Sequence, residues 1–447
     1  MRKKLLSLSA AIVIAVSTLA GCGDTSSNET SSSDTSAEGG SQEDSTEEGA
    51  SGDKVTLSLC WWGNQKRNDV TKQAVDLYMS QNPNIEIKVE FTDWSGYWDK
   101  MSAMAAGGNL PDIIQQDYSY IAQYQKSGQL ADLTEFIENG TIQTENIVDS
   151  IIESGSIDGK VYGLSLGSNA PAMTYDKAIV EEAGVTIPEQ VTIDELYDIS
   201  QQIYEKTGVK TYFDGGSDMM QIIARTRGSH MFEELAAGNK EFSLEHYENV
   251  EKFAKAEFSI SSDLLAEKNP DVVETKPIID GTTWNDFMYS NQLISVVETA
   301  GREIEIAMYP TTSDAVSQPM YLKPSMFFSI AETSKNKEEA AKFIDWFTND
   351  EECNKILMAE RGVPINSEIA DILKEEVDEV SQKVFDYIAT VSEIATPIDE
   401  LDPAGKGEVV ALSKTIAEEL RYGNLNAEEA TDQFVSGAKS ILEEAAK

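Results

Sequence analysis

Side chains able to do covalent or proton-transfer chemistry are few in this chain. His230 and His246 are its two histidines, and neither stands at metal-ligand spacing. No C-x-x-C, H-E-x-x-H, phosphate-binding or dinucleotide-binding glycine loop occurs. One pattern has a catalytic form: Gly163-Leu164-Ser165-Leu166-Gly167 matches the G-x-S-x-G nucleophile elbow, and Asp214 and His230 follow in the order a hydrolase triad needs. That elbow demands a helix starting within a few residues of the serine, and Asn169, Ala170 and Pro171 follow instead. The other informative groups stand at strand ends: Trp61 and Trp62 at one, Gln116, Asp117 and Tyr118 at another. Flat aromatic surfaces beside convergent polar groups make contacts with a solute and break no bonds.

The elements that must position these groups alternate strand and helix. Val55, Leu57, Leu59 and Trp61 alternate with Thr56, Ser58 and Cys60, a strand running into Trp62-Gly63-Asn64. A helix follows with Val70, Ala74, Leu77 and Tyr78 on one face, stopped by Asn82-Pro83. Ile85, Ile87, Val89 and Phe91 mark a second strand, and Tyr97, Met101, Met104 and Ala105 a second helix ending at Gly107-Gly108. Pro111-Asp112-Ile113-Ile114 opens a third strand. This βαβαβ order predicts a parallel sheet, which places ligands beyond the carboxyl ends of its strands. Downstream, Thr192 with Glu195, Asn336 with Glu339, and Asn426 with Glu429 are spaced to cap further helices.

The chain has 447 residues with 35 Lys+Arg against 78 Asp+Glu, a net charge of −43. Such acidity argues against nucleic acid or an anionic lipid surface as partner, and the length argues for two domains. Arg2, Lys3 and Lys4 precede an apolar stretch over 5–19 that is too short to span a membrane, followed by Leu19-Ala20-Gly21-Cys22. That ending resembles a bacterial lipobox and implies a signal peptide over 1–21 with lipid on Cys22. Of the 31 residues 23–53, 13 are Ser or Thr, 5 Gly and 9 Asp or Glu, a composition that reads as a disordered tether. A lipid anchor with such a leash points to the outer face of a Gram-positive cell membrane. With Cys22 lipidated, Cys60 and Cys353 read as two buried thiols.

Several short motifs occur in order: Trp61-Trp62-Gly63-Asn64, Gly107-Gly108-Asn109-Leu110-Pro111-Asp112, Gly128-Gln129-Leu130-Ala131-Asp132-Leu133 and Asp158-Gly159-Lys160-Val161-Tyr162-Gly163. Tyr175-Asp176-Lys177, Glu182-Ala183-Gly184, Ser334-Lys335-Asn336-Lys337 and Arg361-Gly362-Val363-Pro364 continue the series. Together, over nearly all of 54–447, they resemble the family 1 extracellular solute-binding proteins, carbohydrate-capturing lipoproteins of ABC importers. The resemblance implies a two-lobed α/β fold of the type II periplasmic-binding-protein kind, with crossings near 168–171, 317–323 and 361–366. Lobe one is expected over 54–168 plus 320–362, and lobe two over 171–316 plus 367–447. It implies a monomer that hands a mono- or oligosaccharide to ABC permease subunits, without cofactor, metal or catalysis. A peptide or polyamine binder, and a secreted glycan hydrolase, are the alternatives.

A pyranose offers a face of C–H groups and an equator of hydroxyls, which aromatic rings and convergent polar groups can match. By strand alternation Trp61 continues the Val55, Leu57 and Leu59 face, so Trp62 is the one expected to turn toward ligand. Family alignment implies contacts at Trp62, Asn64 and Arg67, then Asp117 and Tyr118, then Asn169. From lobe two it points to Trp284 and Glu298-Thr299, although Gly301-Arg302 stands where the family often shows a glycine and an aromatic residue.

Overall fold

The computed structural model describes residues 54–446 except Asn64, Asn269, Asp271, Glu400, Leu401 and Asp402, with only the backbone of Ser95. The expected signal peptide, the lipidated Cys22, the tether and the Asn64 contact lie outside these residues. The chain is α/β and two-lobed. Its first lobe carries β1 (Val55–Trp62), β2 (Ile85–Thr92) and β3 (Ile113–Gln116), joined by helices α1 (Gln65–Gln81) and α2 (Trp94–Ala106). β1 pairs in parallel with β2 over its whole length, Val55 opposite Ile85 through Trp62 opposite Thr92, and with β3 on its other edge. Asp93 caps α2 through the Gly96 N–H at 3.0 Å, and α2 ends where Gly108 takes the left-handed φ of 65°. The helix α3 (Tyr118–Lys126) begins directly after β3 with Asp117 as its N-cap.

The hairpin β4 (Ser156–Ile157) and β5 (Lys160–Val161) precedes β6 (Leu164–Ser165), the far edge of the first sheet. The chain then crosses through β7 (Ser168–Asn169) into β8 (Pro171–Asp176), the centre of a second sheet between β9 (Asn285–Tyr289) and β10 (Ile304–Met308), both antiparallel to it. It returns through β11 (Lys323–Pro324) to β12 (Phe327–Ile330), which inserts antiparallel between β3 and β6. Helices Lys406–Arg421 and Ala427–Ala445 pack against each other and against helix Glu241–Ala254.

Three stretches of backbone meet at the crossing. Lys323 pairs with Asn169 and Pro324 with Ser168 on one side of β7. On the other, the Ser168 N–H donates to the Val363 carbonyl at 2.8 Å. The closeness requires glycine: a Cβ on Gly167 would stand 2.2 Å from the Arg361 carbonyl oxygen.

Both faces of the first sheet are covered, and this decides the fate of the tryptophan pair. Trp61 is fully buried, stacked on Phe91 at 5.2 Å, and its Nε1–H donates to Asn68 of α1 at 2.9 Å. Trp62 turns to the opposite face, as alternation requires. There it meets Trp94, Tyr97 and Trp98 of α2 at ring distances of 5.0 to 5.5 Å and keeps 8% of its surface exposed.

The expected caps at Thr192 with Glu195 and Asn426 with Glu429 are complete capping boxes. Asn336 differs: its amide donates across to the Thr56 carbonyl at 3.2 Å and makes no cap bond, because the long-range partner is within its reach. Cys60 and Cys353 are buried free thiols.

Candidate ligand-binding site

A cavity of about 340 Å³ opens where the carboxyl end of β3, the crossing strands and the second lobe meet. From the first lobe it takes Asp117, Tyr118 and Ser119, the residues immediately beyond β3, which is where a parallel sheet exposes backbone and side chains to a ligand. Asp117 spends one carboxylate oxygen on the Ser119 N–H at 2.9 Å, fixing the start of α3. The other oxygen has no hydrogen-bond partner among the described residues. Tyr118 lies over Phe327 with ring centroids 6.4 Å apart.

The crossing supplies Asn169, Tyr321, Lys323, Pro324 and Ser325. Asn169 lines the cavity, while its Oδ1 is buried toward Gly362 of the crossing, without a hydrogen-bond partner among the described residues. Tyr321 and Tyr289 share a hydroxyl contact of 3.0 Å, and the Lys323 ammonium rests 4.5 Å from the centre of the Tyr289 ring. Burial lifts the Tyr321 hydroxyl well above its ordinary range, and the Asp218 charge adds to this, so it remains a donor at any physiological pH. Asp218, in the first turn of helix Ser217–Thr226, keeps contact with water, yet the protein around it raises its carboxyl to about 6. The Asp214 charge works in the same direction, and Lys323, Lys406 and Lys414 oppose it.

The last wall is Ile398 and Asp399 on the segment after helix Glu379–Ile394. Asp399 is held from several sides. Gln221 donates to it at 3.0 Å, His230 meets it through Nδ1 at 2.9 Å, and buried Arg225 forms an ion pair with it. Arg225 also donates to the carbonyls of Pro319 at 2.8 Å and Pro397 at 2.9 Å, so one guanidinium ties this segment to the second crossing. The Asp399 carbonyl in turn accepts the Tyr118 hydroxyl at 2.6 Å.

Three of the residues expected from the sequence therefore come together here: Asp117, Tyr118 and Asn169. Of the others, Asn64 lies outside the described residues and the rest are placed elsewhere. Trp61 is part of the core and not of the cavity wall, and Trp62 packs under Trp94, because helices cover both faces of β1. Arg67 pairs with Glu360 at 2.8 Å and donates to the Trp62 carbonyl at 3.3 Å, within the first lobe. Trp284 is fully buried beside the second sheet, and Glu298 is exposed on helix Leu293–Ala300, outside the cavity. Gly301 caps that helix with φ 64°, and Arg302 pairs with Asp176, so this stretch is structural. The sequence reading missed Gln221, Tyr289, Tyr321, Lys323, Asp399 and Lys406. The expected crossing at 317–323 contained two of them, and Asp399 and Lys406 carried no local signal.

Ser165 of the G-x-S-x-G pattern is fully buried and donates to the Gly167 carbonyl at 2.9 Å, with β7 and no helix after it. His230 sits with Asp399 and not with Ser165. Among the described residues no group of His, Cys, Asp and Glu has a metal-holding arrangement, and no helix is long and apolar enough to cross a membrane.

Two lobes joined by crossing strands around a polar, aromatic-lined cavity define a solute-binding architecture. Residues 73–384 match the family model described as bacterial extracellular solute-binding protein, and the chain belongs to that family, a family of binding proteins. It is 24% identical over 327 residues to the maltotriose-binding protein of Pyrococcus abyssi, covering 69% of this chain and 66% of that one. It is 28% identical over 196 residues to the arabinooligosaccharide-binding protein of Halalkalibacterium halodurans, covering 41% of each. These matches span from two fifths to just under two thirds of the relatives' own lengths. Among solved structures, a family 1 extracellular solute-binding protein from Alicyclobacillus acidocaldarius superposes with a TM-score of 0.80 at 27% identity, covering 88% of this chain and all of that one. A substrate-binding protein from Listeria monocytogenes in complex with cycloalternan gives a TM-score of 0.65 at 17% identity over 88% of this chain and all of that one, a likeness of fold alone.

Proposed function

We propose that this protein captures a mono- or oligosaccharide between its lobes and delivers it to the permease of an ABC importer. The observation that carries the reading is the 340 Å³ cavity itself, where Tyr118, Tyr289 and Tyr321 offer rings, Asp117 offers a carboxylate oxygen not used by Ser119, and Asn169 adds a polar side chain to the wall. Sugar C–H faces stack on the rings and sugar hydroxyls donate to the carboxylate. The binding specificities for which the relatives are named, maltotriose and arabinooligosaccharide, support a carbohydrate over a peptide or polyamine.

In this reading the lobes, 54–168 plus 320–362 and 171–316 plus 367–447, rotate about the crossing strands and close over the sugar. Only contacts better made in the closed state drive that closure, so both lobes must touch the ligand. The protein acts as a monomer, and lipid on Cys22 holds it near the permease and raises its effective concentration. Isothermal titration with malto-, arabino- and chito-oligosaccharides tests the binding. A heat of binding with one series, weakened by about tenfold in Asn169→Ala as one polar side chain leaves the wall, is expected. No binding across the three series, or unchanged affinity in the variant, refutes it.

A further inference from the structure

A second cavity of about 300 Å³ adjoins the first. The two share Tyr118, Ile398 and Asp399, so the hydrogen bond from the Tyr118 hydroxyl to the Asp399 carbonyl stands between them as a bridge. The outer wall of the second chamber is the β4–β5 hairpin and the end of the helix before it, with Glu153, Ser156 and Asp158. Asp158 and Gly159 both take positive φ, 52° and 76°, which is the tight two-residue turn that Asp-Gly favours, so the wall is well fixed. Its charge differs from that of the first chamber. Lys323 and Lys406 line the first, whereas the lining of the second contains Glu153, Asp158 and Asp399 and no cationic side chain. Glu153 and Asp158 make no ion pair among the described residues.

From this geometry we infer that the ligand is an uncharged oligosaccharide of at least three units that runs through both chambers past Tyr118, with its outer unit hydrogen-bonded by Glu153 and Asp158. The inference rests on the carbohydrate reading proposed above and deepens it. A pyranose unit fills roughly 180 Å³, about the space of six waters at ~30 Å³ each. The first chamber therefore holds up to two units, and a third must enter the second. Carboxylates there accept hydroxyl hydrogens in charge-assisted bonds and repel a uronate or a sulfated sugar.

The test is calorimetric titration of the whole protein with maltose, maltotriose and maltotetraose, with the matching arabino- and chito-oligosaccharides, and with di- and trigalacturonate. Within the neutral series that binds, affinity rises at least about tenfold from two units to three or four. Ser156→Trp, which fills the second chamber, removes that gain and leaves the two-unit affinity in place. The uronate series shows no gain from its third unit, and the paired variant Glu153→Gln with Asp158→Asn, whose second change suits the left-handed turn, restores one. Affinity that stops rising at two units, or a trigalacturonate gain in the unaltered protein, overturns the second chamber while leaving sugar capture standing. Absence of binding by every series, neutral and acidic, overturns the carbohydrate reading and this inference with it.

Discussion

His246 should govern part of the acid stability of the second lobe. It is fully buried on helix Glu241–Ala254, its Nε2 3.1 Å from the Gly215 carbonyl, and its Nδ1 has no partner among the described residues. The neutral ring with hydrogen on Nε2 fits this setting, and a second proton on Nδ1 would be buried with nothing to accept it. Burial accordingly pushes the imidazole from 6.5 down to about 4, the Arg421 charge helping while Asp214 and the Gly215 bond oppose. A native value below the unfolded one means the unfolded chain takes up the proton first. Stability is whole above about pH 6.5 and is lost as pH falls toward 4. At 1.36 kcal/mol per unit, the loss reaches about 2 kcal/mol at pH 5 and about 3 kcal/mol below pH 4, where the native ring is protonated as well. The perturbation is His246→Gln, which keeps a donor for Gly215 and cannot titrate. Urea unfolding followed by tryptophan fluorescence, from pH 7.5 to 4.5, should show the variant gaining about 2 kcal/mol on the parent by pH 5. The raised carboxyl of Asp218 works with the opposite sign, stabilising the native state as pH falls, but it is common to both proteins and cancels in the difference. Two curves that stay parallel across the range would refute the argument.

Trp62→Ala should cost about 3–5 kcal/mol of stability by opening a hole beneath Trp94 and Trp98, while sugar affinity measured below the lowered melting point stays within about twofold; a lost affinity with an unchanged melting temperature would return Trp62 to the site. Gly167→Ala should force apart β7 and the backbone at Val363, since its Cβ falls on the Arg361 carbonyl; hydrogen exchange at Ser168 and Val363 should accelerate, and unaltered protection would show that the crossing gives way more easily than its geometry implies. Tyr118→Phe should remove about 1 kcal/mol of net hydrogen bonding to Asp399, read as a lower melting temperature of the ligand-free protein; an unchanged value would mean the contact is not held in solution.

Local pattern carried the first lobe well. Alternation in β1 and β2, the apolar faces of α1 and α2, and the glycines after α2 are short-range signals, and the βαβαβ order follows from them. The cavity is a different matter. Asp117, Tyr118 and Asn169 could be assigned to one cavity wall because a strand end and a crossing are positions that topology alone fixes. Asp399 and Lys406 arrive from the far end of the chain, held by Arg225 and a helix start, and no neighbouring residue marks them as walls. The tryptophan pair misled for a related reason: alternation says which way a side chain turns but not that α2 will lie on that side. Asn336, spaced to cap a helix, reached Thr56 instead, a partner 280 residues away.

The bond between Tyr118 and the Asp399 carbonyl stands between the two chambers and ties the start of α3 to the segment that Arg225 holds. An occupant reaching from one chamber into the other displaces the Tyr118 hydroxyl and leaves the Asp399 carbonyl short of its donor. Such an occupant must supply a donor of its own at that point, or the crossing from one chamber to the other costs the energy of an unmade hydrogen bond.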